Sequence, residues 1–239
     1  MIMNVNQMYV VFLLVLIGIF VTLTVKGAIR GRKEFRTEQM RCKRYVHMIL
    51  NIWIATLVVF AMMFIGNITL ANIGFRGVNF NHNRWFTVIT LVLSGLLLLQ
   101  SVTQLISSKE AKEKMIQALS EDPEVMDLLP RTKREKCLWF WVSFTAGTTE
   151  EILYRGFLVF LLQTIFVGIS PLLIILTASL AFGIAHFYQG VKGIIKTGIV
   201  GAVLMSLFLV TDSLLLPMIL HFIVDFSTIA ILSPEGSKI

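Results

Sequence analysis

The chain has 239 residues, 56% of them hydrophobic and only 15% charged, with a formal net charge of +7. A soluble domain carries about 25% charged residues, so a chain with a mean hydropathy of +0.81 is not one. The surplus of Lys and Arg then reads as membrane topology, with no nucleic acid as partner. Two cysteines, Cys42 and Cys137, stand beside basic residues at the ends of predicted helices, which excludes a disulfide scaffold and a thiolate metal site.

Seven apolar segments follow one another at about 8–25, 45–70, 85–106, 137–167, 171–188, 193–210 and 214–232. Each is of the order needed to cross roughly 30 Å of hydrocarbon as a helix. The first has neither a basic leader nor an A-x-A site, so it reads as a resident helix rather than a removable signal peptide. The fourth contains Ala146-Gly147-Thr148-Thr149, a weak helical stretch in which Gly costs about 1 kcal/mol against Ala. A split there gives eight helices instead of seven. The expected fold class is therefore all-α, a polytopic transmembrane bundle of seven to eight helices.

The stretches 26–44 and 107–136 hold 15 of the 21 Lys and Arg residues, whereas the loop between the second and third segments has only Arg76 and Arg84. The positive-inside rule places the two basic stretches in the cytoplasm. The expected location is the cell membrane, with the N-terminus outside and, for seven helices, the C-terminus cytoplasmic. The stretch 108–129, SKEAKEKMIQALSEDPEVMDLL, reads as a short amphipathic helix with mixed charge.

Ionisable residues within the apolar segments fall into three blocks, Glu150-Glu151 with Arg155, then His186, then His221 with Asp225. Charge at bilayer depth costs roughly 2.5–3.5 kcal/mol per residue on insertion scales, so such groups pair or face a wet cavity. Residues four apart share a helix face. Glu151 and Arg155 have that spacing, in the favourable order, and are expected to neutralise each other as a structural ion pair. Glu150 has no partner on its own helix and is the better candidate for proton chemistry. Both glutamates capping a helix start after Thr148-Thr149 is the plainer alternative, but it leaves Arg155 unexplained. Phe182 and His186 share a face, as do His221 and Asp225. A lone histidine on an apolar helix is more often structural than catalytic, and a His–Asp pair can simply close a helix–helix contact. Three such blocks on three segments read together as one assembled site. Simple counting leaves a tension, since His221 and Asp225 fall near mid-membrane, deeper than His186.

The order Glu150-Glu151-x-x-x-Arg155, Phe182-x-x-x-His186, His221-x-x-x-Asp225 resembles the CPBP family. These are the CAAX-protease and bacteriocin-processing intramembrane proteases, also called type II CAAX prenyl endopeptidase-like or Abi proteins. Leu129–Glu135 (LPRTKRE) and Tyr188-Gln189-Gly190 match softer features. The likeness covers about 129–232 and suggests N-terminal helices and loops at 1–128 and a catalytic helical core at 129–239. It implies an intramembrane endopeptidase without a covalent intermediate. Glu150 and His186 would act on water, His221 and Asp225 would stabilise the oxyanion, and Phe182 would contact substrate. Asp225 departs from the asparagine of some members. An aspartate donates a hydrogen bond only when protonated; as an anion it would orient His221.

The expected partners are a peptide or membrane-protein substrate and the lipid bilayer. No cofactor is required by this reading. A zinc version, with Glu150, His186, His221 and Asp225 as ligands, is the alternative, although H-E-x-x-H is lacking. Two other functions fit the same residues. One is a non-catalytic bacteriocin self-immunity or membrane scaffold protein. The other is a proton relay or transporter, against which stands the absence of internal repeats.

Overall fold

A computed structural model describes residues 4–30, 37–80, 83–119 and 123–231. Arg32, Lys33 and Arg36, counted among the loop cations, lie outside the described residues. All regular structure among the described residues is helical, as the apolar segments predict. The helices are α1 (Val5–Arg30), α2 (Glu38–Ile65), α3 (Arg84–Ile106), α4 (Lys109–Leu119), α5 (Pro123–Met126), α6 (Lys133–Thr145), α7 (Leu158–Ile165), α8 (Pro171–Ala185), α9 (Gly190–Thr211) and α10 (Leu215–Ser227). Four helical stretches are long and apolar enough to cross a membrane: Val5–Ile29, Glu38–Ile65, Arg84–Ile106 and Phe187–Thr211. The protein is a membrane protein built as a helical bundle.

Side-chain caps fix where several of these helices begin. Thr37 accepts from the Met40 N–H, Asn83 from Trp85, and Ser170 from Leu173 with Pro171 in the first turn. Each satisfies one of the amide groups that a helix start leaves without a partner. The Thr37 cap starts α2 well before the expected residue 45. Arg41, Lys43 and Arg44, counted as loop charges, therefore stand on its first turns. Arg41 is buried and donates from Nε to Glu135 Oε1 on α6 at 2.7 Å, and Tyr45 OH donates to the Leu128 carbonyl at 2.7 Å. These two bonds tie α2 to the start of the segment that carries the three blocks. Within 108–129, where the sequence predicts one short amphipathic helix, the described residues hold α4 and α5.

The weak stretch at Ala146–Thr149 does not break the fourth segment. The chain runs on as a widened π-helix over Ala146–Glu150 and again over Ile152–Phe157, joining α6 to α7. Gly147 allows this. A Cβ there would stand 2.9 Å from the Phe222 nitrogen of α10, so the two backbones approach as only glycine permits. Gly183 does the same for α8 against α9, where a Cβ would meet the Ile194 carbonyl at 2.7 Å. Close backbone approach through small residues is how helices associate in lipid, where there is no hydrophobic force between them.

One buried apolar cluster runs through the bundle. It joins Phe12 and Leu16 of α1 and Val59 and Met62 of α2 to Ile152–Leu162, and to Phe182 and Met205 of α8 and α9. Phe20 of α1 stacks on Tyr154 with ring centroids 4.3 Å apart. At the end of the bundle away from α4 and α5, Arg76 pairs with Asp212, and Ser213 Oγ donates to the Arg76 carbonyl at 2.6 Å. These contacts pin the α2–α3 connection to the turn between α9 and α10.

Two helices are short. α8 has 15 residues and α10 has 13, so they rise about 22 and 20 Å, less than the roughly 30 Å of a hydrocarbon core. α8 stops at His186, its C-terminal cap. His186 is therefore a helix end, and its ring and that of His221 on α10 both lie against Phe182, with centroids 4.6 and 5.8 Å away.

Candidate active site

Each block keeps its polar groups on one side of its helix, and the helices turn those sides toward one another. Glu151 and Arg155 are fully buried, and Arg155 Nη1 donates to Glu151 Oε1 at 2.9 Å. Arg155 Nη2 donates to the Gly201 carbonyl of α9 at 3.1 Å. Its guanidinium lies over the Phe182 ring, 4.5 Å from the centroid. A charge held by a carboxylate, a carbonyl and an aromatic face is compensated on three sides, as burial requires.

The third block completes the network across the bundle. His221 Nδ1 lies 2.7 Å from Glu151 Oε1. A carboxylate with its charge accepts and does not donate, so Nδ1 is the donor in this contact. The other ring nitrogen, Nε2, stands 3.6 Å from Asp225 Oδ2 and 3.9 Å from Glu150 Oε2. Both separations exceed a hydrogen bond. The group that orients His221 in this structure is thus Glu151, not its helix neighbour Asp225. Glu151 serves two partners through a single oxygen.

Glu150 differs from Glu151. The Oε2 atoms of both are buried and make no hydrogen bond to the protein among the described residues, but the Glu150 side chain is 19% exposed and that of Glu151 is fully buried. Glu150 lines a cavity of about 580 Å³ with His186, Tyr154, Thr145 and Tyr188. His186 Nδ1 donates to the Phe182 carbonyl at 2.8 Å. A carbonyl only accepts, so Nδ1 carries the proton and Nε2 is the ring's remaining nitrogen. Asp225 is 35% exposed and does not line this cavity. Phe182, expected to touch substrate, is 2% exposed and lies outside the cavity lining. Its ring is enclosed by Arg155, Tyr154, His186 and His221.

Neither cysteine lines the cavity. Thr145 does, and its hydroxyl accepts from Trp53 Nε1 at 3.3 Å. Tyr154, outside the three blocks of ionisable residues, lines the cavity too, and its i, i+4 spacing from Glu150 is the signal that could have found it. The link from Glu151 to His221 spans 70 residues, and no spacing rule reaches that far. The donor set was also weighed for zinc. Among the described residues no group of three or more His, Cys, Asp and Glu side chains is gathered as a metal site, and His221 Nδ1 is turned to Glu151.

The segment that holds all three blocks also matches a known family, described as type II CAAX prenyl endopeptidase Rce1-like, over residues 134–227. The match covers less than half of the chain. The matched segment runs from the first turn of α6 to the last residue of α10, and so contains Glu150, Glu151, Arg155, His186, His221 and Asp225. It agrees with the CPBP resemblance read from the motifs. The chain before residue 134, with α1 to α5, lies outside the match. Neither the curated proteins nor the solved structures compared with the chain match it. The matched family is one of prenyl endopeptidases by its description, and the helices long enough to cross a membrane are consistent with it.

Proposed function

We propose that the protein is an intramembrane endopeptidase that cleaves a peptide or protein substrate, of CAAX type or in peptide processing, with Glu150 and His186 activating water. The observation that carries this reading is the Glu150 carboxylate, which alone among the carboxylates of the three blocks lines a sizeable cavity, beside His186, with its side chain 19% exposed. A base needs a free lone pair within reach of the proton it takes. Glu150 removes a proton from a water, and the water oxygen attacks the scissile carbonyl carbon. The carbonyl becomes a tetrahedral oxyanion. When it collapses, the C–N bond breaks and Glu150 returns its proton to the leaving amine. His186 shares the water through Nε2. His221 and Asp225, behind Glu150 and outside the cavity lining, steady the oxyanion as donors, His221 through a protonated Nε2 and Asp225 through a protonated carboxyl. Glu151 and Arg155 act behind them, holding His221, and Phe182 is a positioning residue that fixes Arg155 and both histidines. The basic end of the bundle, with α4 and α5, faces the cytoplasm, as the Lys and Arg bias suggests.

The test compares cells expressing the protein with cells expressing Glu150→Gln, by mass spectrometry of new chain termini among membrane proteins and secreted peptides. Termini that depend on Glu150 are expected. A Glu150→Gln protein that produces the same termini and the same biological effect overturns the catalytic assignment and makes the protein one that acts by contact.

A further inference from the structure

The cavity has a second end that the proposed chemistry does not use. From Glu150 and His186 it runs as a fissure between α1 and α2, walled by Leu23, Ile49 and Ile52. At its far end stand Lys26 of α1 and Lys43, Arg44 and His47 of α2. Among the described residues that line it, Glu150 is the only acid, so the far end is a patch of one sign. Arg44 lies 5.6 Å over the Tyr188 ring, and the His47 ring is tied to the Lys43 carbonyl at 2.6 Å. Lys26 and Lys43 are exposed.

Depth decides what kind of molecule suits this shape. α2 has 28 residues and rises about 42 Å, which exceeds a hydrocarbon core of roughly 30 Å. Its first turns, with Lys43, Arg44 and His47, therefore stand at headgroup level, while Ile49 and Ile52 lie below them at hydrocarbon level. Lys26 stands at the matching end of α1. We propose that the fissure binds an anionic phospholipid, its phosphate held by Lys26, Lys43 and Arg44 and one acyl chain lying along the apolar wall toward Glu150. Basic pockets between membrane helices recognise anionic headgroups in this way. A neutral lipid lacks the charge for the far end. An acidic peptide matches the charge, but it must leave its backbone groups without partners along an apolar wall. The bound chain would occupy the space that a substrate needs, and this competition, unlike the binding itself, rests on the endopeptidase reading.

The test uses the purified full chain in neutral detergent, with native mass spectrometry reading bound lipid as dioleoyl-phosphatidylglycerol or dioleoyl-phosphatidylcholine is titrated. The wild type is expected to prefer phosphatidylglycerol. Lys26→Gln with Lys43→Gln should weaken that binding about thirtyfold and leave phosphatidylcholine unaffected. Lys112→Gln with Lys114→Gln, on α4 outside the fissure, should change nothing, and Lys43→Arg should keep the preference. If the double variant does not elute as a folded protein, Lys43→Gln alone carries the comparison, with a loss of about fivefold. Equal binding of the two lipids, including none of either, overturns the proposal, as does a Lys43→Gln protein with wild-type preference. So does an apolar peptide ending in a carboxylate that binds where phosphatidylglycerol does not. Proteolysis enters none of these readouts, so a protein that cleaves nothing but shows the lysine-dependent preference would refute the proposed function and keep this site.

Discussion

Glu135 and Glu150 lie on one continuous helix, about four turns apart, and their surroundings differ in kind. Glu135 is fully buried with both oxygens engaged. Oε1 accepts from Arg41 Nε at 2.7 Å, and Oε2 accepts from the Arg131 and Thr132 N–H groups at 2.6 and 2.9 Å. Glu150 Oε2 is buried and accepts nothing from the protein among the described residues, while the side chain as a whole, 19% exposed, lines a cavity. A carboxylate saturated by fixed donors is a joint between chain segments. One whose carboxyl group reaches a cavity can exchange a proton with whatever enters it. The same residue type on the same helix thus serves architecture at one end and is offered for chemistry in the middle.

The strongest way to break this comparison is to substitute both residues. Glu150→Gln is expected to lower the rate of cleavage by roughly 10²–10⁴-fold, the range of general acid–base catalysis, with the melting temperature unchanged. Glu135→Gln is expected to do the reverse. It removes the charged partner that Arg41 Nε has in Glu135 and should cost up to about 3–5 kcal/mol of stability, while the activity per folded molecule is retained. Turnover and thermal unfolding of both variants on the same peptide decide the matter. A Glu135→Gln protein of wild-type stability but without activity would erase the distinction.

Glu151 sharpens it, because it combines the two situations. It is buried and paired like Glu135, yet one of its partners is His221 of the site. Glu151→Gln should also lose about 3–5 kcal/mol, since Arg155 keeps its charge at 1% exposure. Unlike Glu135→Gln, it should lower turnover in the molecules that remain folded, because His221 loses its charged acceptor. Stability loss without any change in turnover would mean that the 2.7 Å contact to His221 does not position the ring.

Much of this architecture is legible in the sequence, because hydropathy and helical spacing report on local structure. The apolar segments mark the helices of the bundle, and the spacing of Glu151 and Arg155 places both on one face. Helix ends are less legible. The apolar run near residue 45 conceals the earlier start of α2 at Glu38, which the Thr37 cap sets and which puts Arg41 within reach of Glu135. The widened helix at Ala146–Phe157 leaves only one trace, the low helix propensity of Ala-Gly-Thr-Thr, which reads equally well as a break. Contacts between distant blocks leave none. The pairing of His221 is a case in point, since spacing offers Asp225 and the fold supplies Glu151. The counted mismatch in depth likewise gives way in the fold, where the rings of His186 and His221 both lie against Phe182.

Gly147 allows a smaller perturbation of the region around Glu150. The Cβ of Gly147→Ala would meet backbone atoms of α10, which cannot rotate away as a flexible side chain does. The expected loss is about 1–3 kcal/mol, as for overpacking a close-packed core. Because α10 carries His221, turnover should fall as well. A fully stable and active Gly147→Ala protein would show that α10 has room to shift without disturbing the site.

The smallest expected effect lies at the other end of the same helix, in the capping box of Thr132 and Glu135. Thr132 Oγ1 accepts from the Glu135 N–H at 3.2 Å, while Glu135 reaches back to the Thr132 N–H at 2.9 Å. Thr132→Ala removes only the first of these bonds. Glu135 still accepts from Arg41, Arg131 and the residue 132 amide, so no buried charge is stranded. The loss should be about 1 kcal/mol, the usual worth of a cap, and about 2–4 °C in melting temperature for a chain of this size. Thr132→Ser keeps the hydroxyl and should recover most of it. Turnover should not change in either variant, since the joint stays closed. A loss as large as that of Glu135→Gln would mean that the Thr132 hydroxyl, and not the saturation of the Glu135 carboxylate, holds α2 against α6. The contrast between Glu135 and Glu150 would then rest on one hydroxyl rather than on two filled oxygens.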